Sequence, residues 1–311
     1  MISRIVGRAF PHLGFSHVRP LSTPVTVGAM SSADMTAPTV SPPGWAGVGT
    51  CALSAGGVLG PRLLDHHVLM LTTAGHGPVE VDFTVLACRP GTLLWIHPGQ
   101  ALHVGPAGLD ASFVTFEARL ARPPEPDGIR HWQLEGEDED AVISDFAQLA
   151  VDCDRHPPGP VAADLLHHQL TVLQLRVALL TSADGAGPEG QTFARFRRLL
   201  EQGHPSSRRV EDYAADLGCS VRTLTRACLA VTGRTAKQVV DDRVALQARR
   251  LLACTPLSVA EVGRHLGFPE PTNFGRFFHR EVGTSPGQFR ADRATNGRGP
   301  VPAQRRSSDR P

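Results

Sequence analysis

Lysine is almost absent from this sequence of 311 residues. Lys237 is the only lysine among 31 basic side chains, so arginine supplies nearly all of the positive charge. Cysteines in a C-x-x-C spacing are also absent, which argues against a zinc site and a disulfide framework and favours reduced thiols. The six cysteines are Cys51, Cys88, Cys153, Cys219, Cys228 and Cys254.

Long apolar runs are missing as well. No stretch approaches the roughly 18 residues that a membrane-spanning helix needs, so the sequence predicts a cytoplasmic protein without a membrane partner. Acidic side chains are scarce in the second part of the chain. From residue 191 onward 21 Arg and Lys stand against 11 Asp and Glu, whereas the first 190 residues hold 10 against 19. A basic half joined to an acidic half is expected when only one domain lies on nucleic-acid phosphates.

The basic half contains the same helical pattern twice. VEDYAADLGC (Val210–Cys219) matches VAEVGRHLGF (Val259–Phe268) at an offset of 49 residues. After the turn the offset becomes 50, and Arg226 then matches Arg276. Solenoids and propellers need about three or more copies, so two copies indicate a pair of similar modules.

Each copy predicts a helix, a tight turn and a second helix. In the first copy Val210, Ala214 and Leu217 share one helix face because they are spaced i, i+4 and i+7. Gly218 then ends this helix, and Ser220 can accept a hydrogen bond as the N-cap of the next helix.

The second helix of the first copy is expected to bury Val221, Leu224 and Cys228. In the second copy Glu270 can cap the corresponding helix, and Pro271 suits its first position, where no backbone N–H is needed. The two positions at which paired helices would cross closely are occupied by the small residues Ala214 and Gly263.

Polar side chains face outward from the second helix of each copy. They are Arg222, Thr225 and Arg226 in the first copy, and Thr272, Asn273 and Arg276 in the second. Arginine can donate two hydrogen bonds to a guanine edge in the major groove, asparagine can pair with adenine, and threonine can contact a methyl group. A solvated helix face is the alternative, but arginine at the same place in both copies favours DNA recognition.

The segment between the two copies, Thr235–Cys254, contains neither glycine nor proline. As a helix of about 20 residues it would span roughly 30 Å. Successive major-groove faces lie about 34 Å apart. One rigid helix could therefore hold two recognition helices on neighbouring turns of a duplex. Its apolar face would consist of Val239, Val240, Val244, Leu251 and Leu252.

Four runs cover about a third of the chain: RVALQARRLL (Arg243–Leu252), SVAEVGRHLGF (Ser258–Phe268), NFGRFFHREVGTSP (Asn273–Pro286) and Gln288–Arg290. Together they resemble the DNA-binding domain of the AraC/XylS family of transcriptional regulators. The resemblance implies that the six outward side chains contact bases and that promoter DNA and RNA polymerase are partners. Cys228 departs from the family, which usually has an aromatic residue there, and this leaves the first unit with a thinner core.

The region from Trp45 to about Leu120 predicts short antiparallel strands, which suggest a small barrel. Turns are expected at Gly75-His76-Gly77 and Arg89-Pro90-Gly91. The run RPGTLLWIHPGQALH (Arg89–His103) resembles the second half of a cupin motif. The four predicted strands are Val68–Gly75, Pro78–Cys88, Thr92–Pro98 and Ala111–Leu120.

Histidines make a metal site in this barrel a candidate, namely His66, His67, His97 and His103. A cupin's first motif needs H-x-H followed by Glu, but His66 and His67 are adjacent and would point to opposite faces of a strand. We therefore expect no metal and no cofactor. A cavity that binds a small organic effector is favoured instead. Trp95 and Phe83 either line this cavity or belong to the core.

Two helices are expected to follow the strands. The acidic run Gly136–Asp140 can open the first helix, because acidic side chains suit its positive N-terminal end. The second, Val161–Leu180, is so apolar that it must be buried. It can pack on its own barrel or form a dimer interface, and the sequence leaves both open.

The predicted class is α+β, with an N-terminal cupin-like β-barrel plus helical hairpin and a C-terminal all-α domain of two helix-turn-helix units joined by a linker helix. Residues 1–44 are expected to be disordered. Their composition is typical of a transit peptide, but a start codon placed too early is favoured, with Met30 or Met35 as the true first residue. The remaining boundaries are a ligand-binding and dimerisation domain over 45–181, a linker over 182–191, the DNA-binding domain over 192–292 and a disordered tail over 293–311.

The sequence thus predicts a sequence-specific DNA-binding transcriptional regulator that is not an enzyme. Its N-terminal domain would sense a small-molecule effector, dimerise, or both. Two alternatives remain: a metal-dependent cupin enzyme fused to a DNA-binding module, and a DNA-binding protein without an effector.

Overall fold

The computed structural model describes residues 40–106, 108–122, 130–180, 188–203 and 208–296. Strands come first and helices follow, which confirms the α+β class. The strands are β1 (Val48–Leu53), β2 (Leu59–Leu63), β3 (His67–Val81), β4 (Thr84–Cys88), β5 (Thr92–Ile96), β6 (Ala101–Val104), β7 (Gly108–Phe116) and β8 (Arg130–Gln133). The helices are α1 (Glu137–Arg155), α2 (Pro160–Leu180), α3 (Pro188–Gly203), α4 (Val210–Asp216), α5 (Val221–Thr232), α6 (Ala236–Cys254), α7 (Val259–His265), α8 (Pro271–Val282) and α9 (Pro286–Asn296), besides a 3₁₀ turn at Ala118–Leu120.

The long strand β3 organises the sheet, because it pairs antiparallel with β4, β5, β6 and β7. The main path of paired strands runs β1-β7-β3-β5-β8, while β2 pairs with β6. An antiparallel N-terminal sheet is therefore confirmed. Closure into a barrel is not, since β1 and β8 do not pair with each other among the described strands.

The predicted turn at Gly75-His76-Gly77 is wrong. β3 runs through these residues with a register shift between Thr72 and Ala74, and Gly75 accommodates the distortion with a φ of +66°. A Cβ at this position would lie 1.8 Å from the carbonyl oxygen of Gly108, so the close approach of β7 also requires glycine. The structure places one long strand where the sequence predicts two.

The turn that ends β3 lies instead at Asp82-Phe83, inside the segment predicted as a single strand. Val81 pairs with Thr84, which leaves a two-residue loop. Both loop residues have positive φ, 49° and 66°, as a type I′ turn requires. The usual sequence for such a turn is Asn-Gly or Asp-Gly. Phenylalanine at the second position therefore does not indicate a turn from the sequence. The turn at Arg89-Pro90-Gly91 is confirmed, since the N–H of Thr92 donates to the carbonyl of Arg89.

Both predicted helices after the sheet are present, and they cover one of its faces. Leu69, Trp95 and Phe116 of the sheet share a core with residues of α1 and α2. The buried side of α2 consists of Leu166, Leu170, Leu173, Gln174 and Val177. Of the two positions left open for α2, packing on its own domain therefore holds for one of its faces.

The helices from α3 onward share a separate core around α6. Val240, Val244, Ala248 and Leu252 of α6 are almost fully buried there. Helix α3 begins at Pro188, inside the segment predicted as a linker, and α9 continues to Asn296. Of the predicted flanking segments, residues 1–39 and 297–311 lie outside the described residues. No helix in the described ranges is long and apolar enough to cross a membrane.

Candidate nucleic-acid interface

Two helix-turn-helix units of equal dimensions stand at the centre of the C-terminal domain. The first helices, α4 and α7, have seven residues each, and the second helices, α5 and α8, have 12 residues each. Gly218 and Gly267 occupy the turns with φ of +64° and +75°. Because this conformation is costly for residues with a Cβ, glycine ends the first helix in both units.

The caps of the second helices agree with prediction in part. The side chain of Ser220 accepts a hydrogen bond from the N–H of Thr223, which confirms it as the N-cap of α5. Glu270 occupies the N-cap position of α8 as predicted, although its side chain makes no capping hydrogen bond, and Pro271 lies in the first turn as expected. Val221 was predicted to be buried but is 39% exposed, because it lies at the open N-terminal end of α5.

The two second helices, hereafter the recognition helices, have the same order of exposed and buried positions over ten residues, from Val221 in α5 and from Pro271 in α8. Arg222, Arg226, Thr272, Asn273 and Arg276 are exposed, and Thr225 is half-buried. All six side chains predicted to contact bases thus lie outside the core.

The buried positions explain how the two recognition helices are held. α8 buries Phe274, Phe277 and Phe278, whereas α5 buries Leu224, Ala227 and Cys228 at the matching places. The smaller side chains of α5 agree with the thinner core predicted for the first unit. α3 supplies aromatic volume there, since Phe196 packs edge-on against Tyr213 with ring centroids 5.6 Å apart.

Exposed arginines on a recognition helix can bind DNA only if their guanidinium groups are available. Within the described ranges, neither Arg222 nor Arg276 forms an ion pair or a side-chain hydrogen bond. Each guanidinium therefore keeps its donors for an acceptor outside the chain. This is the chemistry required for bidentate contact with guanine.

Helix α6 joins the two units, as predicted. Thr235 and Gln238 form a capping box at its start, and 19 helical residues give it a length of about 28 Å. At the second unit Gly263 lets α7 and α8 cross closely, because an added Cβ would lie 3.1 Å from the Cβ of Phe274. The close crossing expected at Gly263 is confirmed.

Several arginines of the basic half hold the fold together, so the positive charge available to phosphates is smaller than the count suggests. Arg243 pairs with Glu201, with nitrogen and oxygen 2.8 Å apart. Arg290 donates to the carbonyls of Leu252 and Leu257. Sequence reasoning missed these roles, because their partners lie tens of residues away along the chain.

The four histidines considered for a metal do not assemble into a site. In the part of the chain that the structure describes, no group of three or more His, Cys, Asp or Glu side chains could hold an ion. The ring of His67 stacks on Phe116 with centroids 5.0 Å apart and accepts a hydrogen bond from the indole of Trp95. His66 instead bonds to Asp65, with Nδ1 and Oδ1 2.6 Å apart.

Of the two positions left open for Trp95 and Phe83, cavity lining or core, both side chains take the core. Trp95 is buried in the core between the sheet and α1–α2, whereas Phe83 packs against Phe289 of α9. A cleft of 350 Å³ lies elsewhere, between the sheet and α1. Its lining mixes polar and apolar groups and includes Thr50, Cys51, Thr73, Phe113, Phe146 and Asp154.

Comparison with known proteins agrees with this geometry. Residues 213–292 match the profile of the helix-turn-helix domain family. The matched residues run from α4 to α9. The transcriptional activator NphR from Rhodococcus sp. is 34% identical over 108 residues, which cover 34% of this chain and 32% of that protein. The activator RhaS from Enterobacter sp. (strain 638) is 28% identical over 176 residues, which cover 55% of this chain and 62% of that protein.

Solved structures similar to this chain include the DNA-binding domain of AdpA in complex with a target DNA. It is 34% identical, covers 37% of this chain and all of that one, and has a TM-score of 0.31. ToxT from Vibrio cholerae O395 is 11% identical and covers 78% of this chain and 96% of that one, with a TM-score of 0.43. The match spans less than two thirds of both curated activators.

Proposed function

We propose that this protein is a transcriptional regulator that binds a specific promoter sequence through α5 and α8. The observation that supports this most is the identical exposure of the two recognition helices, each with an arginine that has no acidic partner among the described residues. Arg222, Thr225 and Arg226 read one half of the site, and Thr272, Asn273 and Arg276 read the other. The remaining exposed arginines bind phosphates without regard to sequence.

Selection of binding sites from random duplexes tests this function. The full-length protein should enrich one sequence and bind it about 10³-fold or more tightly than a scrambled duplex at physiological salt. The double variant Arg222→Ala/Arg276→Ala should lose most of this preference but keep weak, salt-sensitive binding. Failure to enrich any sequence would overturn the proposal.

The N-terminal domain consists of β1–β8 with α1 and α2, and is called the sheet domain from here on. It is proposed to sense a small molecule in the cleft between the sheet and α1. Apolar walls with hydroxyl, thiol and carboxylate groups suit a mainly apolar ligand that has one hydrogen-bonding end. A thermal-shift screen of metabolites should find a stabilising compound, and its effect should be reduced by Thr73→Val. A compound that stabilises both variants equally binds elsewhere. A screen without any hit would favour a regulator that has no effector.

A second copy of this chain is the partner proposed for α2. Val161, Leu165, Val172, Leu175 and Leu179 are between 39% and 82% exposed. Their spacings of four, seven, three and four residues place them on one side of the helix, opposite its buried face. An apolar stripe of this length is typical of an association surface. RNA polymerase is proposed as the partner in transcription, and the cytoplasm as the location.

The enzyme alternative gains no support from the histidines. Since His66 and His67 are used in local packing and hydrogen bonding, they do not present an H-x-H ligand pair. Elemental analysis of the purified protein provides the test. A stoichiometric transition metal would favour the enzyme alternative.

A further inference from the structure

The tip of the β3–β4 hairpin consists of Asp82 and Phe83. It packs against α6 and α9 of the C-terminal domain. Asp82 receives both arms of the Arg250 guanidinium: Nε donates to Oδ1 over 2.8 Å and Nη2 donates to Oδ2 over 2.7 Å. The side chains of Arg250 and Asp82 are only 6% and 5% exposed. The N-terminal domain thus contacts α6 through a buried ion pair.

Two further donors from the sheet domain fix the carboxylate of Asp82. The amide Nε2 of Gln100 donates to it over 2.7 Å, and the N–H of Ala101 donates over 2.9 Å. A buried ion pair is weak evidence for stability, because desolvation costs about as much as the attraction returns. Removing one partner of such a pair is nevertheless costly, and a fully bonded pair fixes geometry. Because Arg250 lies near the C-terminal end of α6, which leads into α7 and the second unit, the contact is better suited to positioning that end of α6 than to stabilising the fold.

Phe83 occupies the second position of the tip and contacts α6 and α9 together. Its ring lies 4.2 Å below the guanidinium carbon of Arg249 and 4.7 Å from that of Arg293. Its edge meets the ring of Phe289, with centroids 5.6 Å apart. Arg293 also forms an ion pair with Glu80 of β3, with Nη1 and Oε1 2.5 Å apart. The strand next to the tip therefore contacts α9 as well.

An aromatic chain leads from this tip to one recognition helix. Phe83 contacts Phe289 of α9, and Phe289 contacts Phe278 of α8 with centroids 5.6 Å apart. Phe278 in turn lies 5.9 Å from Phe274, the buried residue that follows Thr272 and Asn273. The core positions of α5 are Leu224, Ala227 and Cys228, so no matching chain of rings reaches the first recognition helix within the described ranges.

We propose that Asp82 and Phe83 are positioning residues for DNA recognition that support the second recognition helix, α8, and not the first. The sheet domain thereby sets how well Thr272, Asn273 and Arg276 fit their bases, although it does not touch DNA. The proposal rests on the proposed function, and it assigns the influence of the N-terminal domain to one half of the binding site.

The variants Phe83→Asn and Asp82→Asn of the full-length protein test this. Asparagine tolerates positive φ, so both substitutions keep the turn while removing the ring or the charge. Affinity is measured for the selected duplex and for duplexes with single base changes in each half. The half read by α8 is identified as the one in which Arg276→Ala lowers base discrimination.

The expected result is that base discrimination falls about tenfold in the half read by α8 and is unchanged in the half read by α5. The double variant Phe83→Asn/Phe289→Leu should show a non-additive loss, since the two rings act in one chain. Asp152→Asn is the matched control, because Asp152 is a buried carboxylate bonded to Gln148 and Gln169 within the sheet domain.

Equal loss in both halves, or an equal effect of Asp152→Asn, would show general destabilisation and overturn the proposal. Unchanged discrimination in both halves would overturn it as well. These outcomes differ from failure of the proposed function, in which the unaltered protein would prefer no sequence at all.

Discussion

Arg276 is the side chain on which base recognition by the second unit depends most. Arg276→Ala should cost roughly 1–3 kcal/mol of discrimination at one base pair, because a bidentate contact with one base is lost. Arg280→Ala is the control, since Arg280 lies one turn later and bonds to Glu281. The measurement is competition between the selected duplex and its single-base variants. If Arg276→Ala weakens specific and random DNA equally, the side chain touches only the backbone.

The buried side chain of His67 should make the stability of the sheet domain depend on pH. Burial, together with the neighbouring His97 and His66, lowers the pKa of His67 from 6.5 to about 3. The folded protein keeps the ring neutral while the unfolded chain takes up a proton below pH 6.5, so stability is lost as pH falls through this window. Between pH 6.5 and 5 the loss should be about 2 kcal/mol.

Denaturant unfolding at several pH values measures this loss. His67→Gln stays neutral and offers an oxygen to the indole of Trp95, so its stability should depend less on pH. His168→Gln changes an exposed histidine and should leave the pH dependence as it was. A variant at His67 with unchanged pH dependence would show that another group titrates.

Sequence periodicity predicts the outward placement of single residues well and their long-range pairing poorly. The outward side of α5 and α8 follows from helical spacing, which involves only neighbours in the chain. The ion pair of Asp82 with Arg250 joins residues 168 positions apart, and no local pattern indicates it. The sequence therefore gives no sign that Arg250 is buried in an ion pair.

At the level of elements, the crossing of α7 and α8 depends on a missing side chain. Gly263→Ala would place a Cβ 3.1 Å from the Cβ of Phe274, which lies in the core and cannot easily move. We expect overpacking to exceed the gain in helix propensity and to lower stability by about 1 kcal/mol. The unfolding midpoint in urea measures this change.

Gly275→Ala provides the opposite case on α8. A Cβ there would meet no atom within 4 Å, so the substitution should raise stability by up to about 1 kcal/mol through helix propensity alone. If both Gly263→Ala and Gly275→Ala lower stability, the two glycines share a role other than close packing. If both raise stability, the crossing of α7 and α8 has room for a Cβ.

The helical units were predictable because their signals are local: glycine at the turns, serine or proline at the helix start, and apolar residues at helical spacing. Strand β3 was not. Gly75 and Gly77 suggested a turn, but pairing with β7 continues past the register shift after Thr72. Asp82-Phe83 turns without glycine, because contacts with Arg250, Gln100 and Phe289 hold its positive φ values. Tertiary contacts decided both outcomes.

At the level of the whole molecule, the exposed side of α2 should hold two copies together. Leu175→Glu places a charge in the middle of this stripe and should shift the protein from dimer to monomer in analytical ultracentrifugation. Val85→Glu alters an apolar residue of β4 that is 64% exposed and should leave the dimer intact. If the unaltered protein is a monomer at micromolar concentration, the stripe serves another partner.

The most direct test of two recognition helices on one linker helix is hydroxyl-radical footprinting of the full-length protein on its selected duplex. Two protected windows are expected on one face of the DNA, about one helical turn apart, for each bound chain. Five base pairs inserted between them should reduce binding sharply, because the rigid α6 cannot follow the half-turn rotation. A single window, or unchanged affinity after the insertion, would contradict this arrangement of the two recognition helices.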